Sequence, residues 1–364
     1  MIEYVAIAII GVAISTELLL IVFMLTNFKD HSNTIEVFPS VAILVAARDE
    51  AENIADCLDS LLALDYPDDK LQIWVGDDAS SDATWQIINK YAKKYSIIKG
   101  FQITTSITKG NGKANVLAQL ANASKSDWIF ITDADIQVPK LWVKNMLAAT
   151  ENREVALVTG TSLVSGNGVL ANIQRLDWLY ATAMLKVISD IGTPVTTMGN
   201  NMAIKRSVYE EVGGFENLPF SVTEDLELFK KVKKNYDTLN LFSSEVLNIS
   251  APQKSVVELL IQRKRWMRGA FELPFQLLGI LLVQAFYMPA IIILILINPL
   301  FGVGLWTMKW VLKFIFSSIS AKKLKEKVSL FDSFATELFA MYFSLASVVY
   351  YLWPRKVYWK GRAY

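Results

Sequence analysis

The residues of this chain best suited to chemistry are acids. They are Asp77 and Asp78 after LQIWVG, Asp133 and Asp135 in WIFITDADI, and Glu224 and Asp225 in SVTEDLELF. The first two pairs close apolar, β-rich runs. They are therefore expected at the carboxyl ends of buried parallel strands, where open α/β sheets bind ligands. An Asp-x-Asp in that position offers hard oxygen ligands to Mg2+ or Mn2+ and, beside such a cation, a place for a diphosphate. The Thr-Glu-Asp triplet precedes an apolar helix. Its acids can be simple N-terminal helix charge, or Asp225 can be a general base that accepts a hydroxyl proton as the alcohol attacks.

The rest of the composition narrows the chemistry to these groups. There is one histidine, His31, and one cysteine, Cys57. One cysteine rules out an internal disulfide framework and a multi-cysteine metal site, and a lone histidine set just after the first apolar segment disfavours histidine-ligated zinc and a Ser-His-Asp triad. Lys and Arg number 36 against 35 for Asp and Glu, a net charge of +1, which gives no bulk attraction to nucleic acid. A hydrophobic fraction of 53% with a mean hydropathy of +0.33 fits a soluble domain joined to membrane helices.

Four further polar elements fall among the strand-like runs. VAARDEAENI ends a strand and starts a helix with Ile54, Leu58, Leu61 and Leu62 on one face; Arg48, Asp49 and Glu50 in its turn can meet a nucleotide or serve as solvated caps. In VGDDASSDAT, Asp78 can accept hydrogen bonds from a base or ribose, or can cap the next helix, a task open equally to Ser81 and Asp82. KGNGKAN sets Lys109 and Lys113 in a glycine-rich loop, where a cation suits phosphate oxygens. VVELLIQRKRWMRG mixes apolar residues with arginines and Trp266 directly before a long apolar stretch. It reads as a membrane-surface helix or as a cover on the site, with Arg bidentate to diphosphate and Trp266 stacked on a sugar or acceptor.

The elements that must position these residues alternate. VAILVAA, LQIWVGD, WIFITDA and VALVTG are separated by helical stretches such as NIADCLDSLLAL and TWQIINKYAKKY, so residues 37–273 are expected to form βαβ units around a parallel sheet. GNGVLA at 166–171 fits a loose dinucleotide-binding pattern after VALVTGTSLV. It lies in mid-domain, outside the first βα unit, and no acid clearly ends a strand some 20 residues later, so a nicotinamide enzyme is disfavoured.

The apolar run at 4–26 is long enough to span a bilayer with one charge, Glu17, which is expected to face a partner helix or polar cavity. Three more apolar segments follow residue 274, of which at least two are expected to span. The middle one carries Lys309 and Lys313 one turn apart, so it either spans with snorkelling lysines or lies in the interface. The tail PRKVYWKGRAY carries four basic residues and is expected in the cytoplasm, which requires one of the three segments not to cross.

Taken together, residues 40–270 resemble the membrane-associated family 2 glycosyltransferases, the group of cellulose, chitin and hyaluronan synthases and of ceramide and carotenoid glucosyltransferases. The motifs of that group occur here in order: Asp78 in a VDD-like element, Asp133 and Asp135 as the DxD, Thr223-Glu224-Asp225 as the TED, and Gln262 with Arg265-Trp266 as the QxxRW. The resemblance implies an α/β GT-A (Rossmann-like) domain at 37–273 between an N-terminal anchor at 1–30 and a C-terminal membrane region at 274–364. It implies a plasma-membrane protein with a cytoplasmic catalytic domain. It also implies inverting, metal-dependent transfer of a hexose or N-acetylhexosamine from a nucleotide sugar, with UDP favoured. Asp225 would be the base, with Glu224 beside it. Asp133 and Asp135 would hold Mg2+ or Mn2+. Ala47, Arg48, Glu50, Asp78, Lys113, Asp133, Gly199, Gln262, Arg263, Arg265 and Trp266 would contact donor or acceptor. Too few C-terminal helices follow for a closed polysaccharide channel. One sugar added to a membrane lipid is therefore the leading expectation, and a polymerising subunit assisted by a membrane partner the alternative.

Overall fold

The computed structural model describes residues 1–364 except 110, 271–274, 353–357, 360, 361 and 364. The expected boundary at 273/274 lies outside the described residues. Of the basic tail, only Tyr358–Trp359 and Arg362–Ala363 are described, as two short antiparallel strands.

A seven-stranded sheet forms the centre. Its strands are β1 (Val41–Ala47), β2 (Leu71–Asp77), β3 (Ile98–Gln102), β4 (Trp128–Asp133), β6 (Val155–Thr159), β8 (Met202–Lys205) and β9 (Asp237–Asn240), in the order β3-β2-β1-β4-β8-β6-β9. Period-two alternation makes this sheet two-faced. Val41, Ile43 and Val45 of β1 enter one core with Ile54, Cys57, Leu58 and Leu61 of α2 (Ile54–Leu62) and Trp142 of α5 (Trp142–Ala148). Ala42 and Leu44 point the other way, into a core with α4 (Gly112–Ala123), α7 (Arg206–Glu211) and α8 (Glu224–Lys233). The sheet is buried on both faces, so its strands read as continuous apolar runs.

The expected parallel sheet holds for β3-β2-β1-β4 and for the β6–β9 pair, but β8 runs antiparallel to both β4 and β6. The sheet is mixed because the chain reaches β8 through a long helix, α6 (Val169–Asp190), and a loop, and enters from the opposite end. VALVTGTSLV is not one strand. It divides at Gly160 between β6 and β7 (Thr161–Val164), and β7 joins β10 (Leu247–Ser250) and β5 (Ile136–Gln137) in a separate three-stranded sheet. A Cβ at residue 160 would lie 2.3 Å from Asn201 Oδ1, so this turn accepts only glycine. The GNGVLA stretch is a turn with Gly166 and Gly168 at φ of +114° and +106°, leading into α6.

The apolar segments are helices. They are α1 (Ile2–Thr26), α10 (Phe275–Ile297), α11 (Pro299–Lys323) and α12 (Leu330–Leu352). Among the described residues, α1, α11 and α12 are long and apolar enough to cross a membrane. In α10, which spans 23 residues, the apolar stretch is Leu281–Ile297. Ile10, Ala13 and Ile14 of α1 pack on Tyr287, Ile291 and Leu294 of α10, while Leu20 and Met24 pack on α6 and the end of α11. The lysines of α11 do not snorkel. Lys309 Nζ lies 3.4 Å from Glu17 Oε1, which also accepts a hydrogen bond from Tyr180 at 2.9 Å, and Lys313 Nζ lies 3.2 Å from Glu337 Oε2. The partners of both lysines, and of Glu17, are thus neighbouring helices of the same chain.

Candidate active site

Because β1, β2 and β4 are in parallel register, Ala47 pairs with Asp77 and Ala46 with Asp133 along one edge. Everything needed for a site can therefore hang from the turns that leave this edge. The turns after β1 and β2 are zipped together. Asp78 N–H donates to Ala47 O (2.8 Å), Asp49 N–H to Ser80 Oγ (3.0 Å), Ser81 N–H to Asp49 Oδ1 (2.7 Å) and Glu50 N–H to Thr84 Oγ1 (2.8 Å). Both turns carry a non-glycine residue in the left-handed region, Asp49 at φ +51° and Ala79 at φ +52°. Such conformations persist only where their surroundings enforce them. Arg48 is drawn across to Asp78, donating to its carbonyl. Just before α3 (Thr84–Lys94), Asp82 accepts from Thr84 N at 2.9 Å; Asp78, its carboxylate 3.9 Å from Arg48, lines the cleft.

This cleft has a volume of about 930 Å3. The residues that the family resemblance assigned to the site all line it: Ala47, Arg48, Glu50, Asp78, Lys113, Asp133, Asp135, Gly199, Glu224, Asp225, Gln262, Arg263, Arg265 and Trp266. Lys109 does not. Residue 110 of that loop lies outside the described residues.

At the centre, Lys113 on α4 reaches Asp133 and sits 3.5 Å from Glu224 Oε1. The two carboxylates hold the ammonium charged well above its ordinary range, against the effect of burial. Asn111, which the sequence reading passed over, caps α4 by accepting from Ala114 N at 2.8 Å and donates to Glu224 Oε2 at 2.7 Å. Glu224 is thereby committed to Asn111 and Lys113. Asp225 is held differently: Oδ2 accepts from Gly199 N at 2.8 Å and Oδ1 from Leu226 N at 2.9 Å. A Cβ on residue 199 would lie 2.8 Å from that same Oδ2, so glycine is required for the backbone to come this close. Burial, and then the neighbouring Glu224, push Asp225 up to about 6. A carboxylate near 6 is ionised at neutral pH yet basic enough to take a proton.

Asp135 is pushed higher, to about 7, by burial and then by Asp133 and Glu50. Its oxygens are met by Ser250 Oγ at 3.5 Å. A buried acid raised by its carboxylate neighbours in this way fits a bound divalent cation, whose charge would relieve the repulsion. Among the described residues no three acids, histidines or cysteines converge on one point. Asp133 and Asp135 are the carboxylates that would hold such a cation. The two residues outside this chemistry behave accordingly. Cys57 lies buried beneath the site, its thiol driven up by burial, and His31 sits on the linker after α1 with its pKa lowered to about 4 by burial and by Lys186.

The far wall is made by α6 and α9 (Val256–Ala270). Arg263 pairs with Asp177 and lies 5.3 Å from the ring of Trp266; Trp266 meets Trp178 edge to face at 5.5 Å. Asp177, Trp178, Ala181 and Leu185 of α6 all line the cleft and were not among the residues singled out from sequence. The one signal was an Asp-Trp pair inside an apolar helical run. The cleft is thus acidic where it meets the sheet, and lined by tryptophans and an Arg263–Asp177 pair where it meets α6 and α9.

A family model for glycosyl transferase family 21 matches residues 4–364. The chain belongs to that family, within the family 2 clan, and it is a glycosyltransferase. Its fold is GT-A. The mannosyltransferase PcManGT from Pyrobaculum calidifontis, solved with GDP-Man and Mn2+, superposes with a TM-score of 0.62 over 97% of this chain and 99% of that one, at 18% identity. Among curated proteins, it is 29% identical to a probable glycosyltransferase, YdaM, of Bacillus subtilis over 67% of this chain and 58% of that one. It is 26% identical to a beta-monoglucosyldiacylglycerol synthase of Trichormus variabilis over 64% and 49%. It is 24% identical to a poly-beta-1,6-N-acetyl-D-glucosamine synthase of Staphylococcus epidermidis over 64% and 55%. The chain thus spans between about half and three fifths of the length of these relatives.

Proposed function

We propose that this enzyme transfers a hexose or N-acetylhexosamine from a nucleotide sugar, UDP-linked by preference, to the hydroxyl of a membrane lipid, with inversion at the anomeric carbon. The observation that carries the reading is the two-ended cleft, in which carboxylates and Lys113 at the strand edge open directly onto the Trp178–Trp266 wall beside the membrane helices. The nucleoside would rest against the zipped turns of Arg48, Glu50 and Asp78. Asp133 and Asp135 would hold Mg2+ or Mn2+, which when bound supplies positive charge against the departing diphosphate. Lys113 and Arg265 would add fixed positive charge to the same oxygens. Asp225, oriented by the Gly199 and Leu226 N–H groups, would take the proton of the acceptor hydroxyl as its oxygen attacks the anomeric carbon and the diphosphate leaves on the opposite side. Trp266, with Trp178 behind it, would stack on the sugar or acceptor. The catalytic unit would comprise residues 37–273 on the cytosolic face, where nucleotide sugars reside.

Similarity to a synthase of poly-beta-1,6-N-acetyl-D-glucosamine favours a second reading, a polymerising subunit assisted by a membrane partner. One experiment separates the two. Membranes containing the protein are incubated with a panel of radiolabelled nucleotide sugars and the products divided into lipid-extractable and water-soluble fractions. Lipid-extractable label should dominate; long, water-soluble, hydrolase-sensitive chains made by the purified protein would replace the lipid reading with the polymerising one.

A further inference from the structure

By length and composition α12 counts as a membrane-crossing helix, yet its contacts tie both of its ends to the walls of the cleft. In its first turn, Asp332 accepts a hydrogen bond from Asn172 of α6 at 3.2 Å. In its last turn, Lys264 of α9 lies 5.4 Å from the ring of Tyr350. Between them, the Arg263 guanidinium lies 5.7 Å from the Phe343 ring. Asn172 is about 7.5 Å along α6 from Asp177, and Lys264 adjoins Arg263, the partner of Asp177 in the cleft. Asp332 and Tyr350 are separated by about 27 Å of helix, close to the roughly 30 Å of a hydrocarbon core. Were α12 to cross, its far end would carry Lys264 and the adjoining cleft residues toward the opposite leaflet.

The two faces of α12 differ as an in-plane helix requires. Phe331, Leu338, Tyr342, Leu345 and Val349 form an exposed stripe, while Ser333, Thr336, Glu337, Phe343 and Ser347 are buried against the protein. The segment leading into it bears exposed Lys322 and Lys327, suited to lipid phosphates. Helices α1 and α11 likewise carry exposed apolar residues, such as Leu18, Leu19, Met308 and Val311. We propose that α12 does not cross the membrane but lies in its cytosolic interface, with the exposed stripe sunk in the bilayer and the polar face roofing the cleft wall built by α6 and α9. Three crossings then remain, α1, α10 and α11. The chain beyond α12 stays on the catalytic side, which also satisfies the positive charge of its tail.

The test uses the full chain in lipid vesicles and reads position, not activity, so it stands or falls independently of the proposed reaction. Cysteines introduced singly at exposed positions, Leu338→Cys, Leu345→Cys and Leu352→Cys, are spin-labelled, and their depth is measured from collision with dissolved oxygen and with an aqueous nickel chelate. Equal depths are expected. A depth that changes by about 10 Å for every seven residues would overturn the proposal. A second measurement guards against a label that perturbs the helix. A cysteine appended after Tyr364 is reacted with a membrane-impermeant maleimide, with Leu300→Cys marking the distal face and Lys327→Cys the catalytic face. The appended cysteine should react from the same side as residue 327; reaction from the side of residue 300 would overturn the proposal.

Discussion

Replacing Asp225 by Asn tests the assignment of the base most directly, because it removes the proton acceptor and little else. The carboxylate accepts two backbone hydrogen bonds, from Gly199 N and Leu226 N. An asparagine keeps one acceptor oxygen and turns an NH2 toward the other donor, at a cost of about 1 kcal/mol in stability. The fold and the donor site should therefore survive, while transfer should fall by about 100-fold or more, the usual contribution of a positioned general base. The wild-type pH profile carries the same information. Burial and Glu224 raise Asp225 to about 6, so its reactive, ionised form is present above that pH and is lost as pH falls through it. At pH 5, about a tenth of the base would remain ionised, whereas a carboxyl of ordinary pKa would be more than roughly nine-tenths ionised. Asp135 also titrates near neutrality, so the profile is recorded at saturating Mn2+, which holds that carboxylate ionised. The assay is initial-rate transfer of radiolabelled sugar at saturating donor, with donor affinity followed by calorimetry. An asparagine variant that keeps more than about a tenth of the wild-type rate, or a wild-type rate flat from pH 7 to 5 with the fold intact, would remove Asp225 from the role.

Other parts of the cleft give independent outcomes. Replacing both Asp133 and Asp135 by Ala should abolish the cation dependence of UDP binding in calorimetry, and EDTA should stop turnover until Mg2+ or Mn2+ is restored; unchanged binding would take these residues out of the metal site. Gly199→Ala forces a Cβ to within 2.8 Å of Asp225 Oδ2 and should slow transfer by about tenfold or more without weakening donor affinity, because displacement of the base acts on the chemical step; an unchanged rate would show that the close approach is incidental. Trp266→Ala should chiefly raise the acceptor KM, and Arg265→Ala should lower kcat even at saturating acceptor; an exchange of these two effects would reverse their roles.

Which parts of this arrangement could be read from sequence follows from how local each signal is. Asp78, Asp133 and Asp135 end apolar strands, and burial of a parallel sheet on both faces forces that pattern, so their place at the carboxyl edge needed no knowledge of tertiary contacts. Asp225 was legible because it opens a helix in a chain almost without histidine. The antiparallel β8 was not, since MAIK reads alike in either direction and its orientation is decided by where α6 and the following loop deliver the chain. The cleft face of α6 was hidden for a related reason. Asp177 and Trp178 gain their partners, Arg263 and Trp266, only when α9 folds back across the site. Asn111 lay in the loop already noted for its lysines. Its cap geometry is an ordinary local signal, but its bond to Glu224 joins residues distant in sequence.

The charges carried by α1, α11 and α12 bear on how these helices and the catalytic part are held in one geometry. An unpaired carboxylate or ammonium facing lipid is costly, and here Glu17, Lys309, Lys313 and Glu337 are all turned inward and paired across α1, α11 and α12. Removal of one partner would leave a buried charge uncompensated, which destabilises far more than the intact pair stabilises. The pairs therefore act mainly as a constraint on register: α1 and α11 cannot slide by a turn without breaking the Glu17–Lys309 contact. Tyr180 transmits that constraint, since its hydroxyl donates to Glu17 while Asp177 and Ala181, its neighbours on α6, line the cleft. The same helix that presents the aromatic wall to a substrate is thus pinned to the bundle from its other side. A register shift within the membrane would displace Trp178, and with it the Trp266 face on which an acceptor would rest.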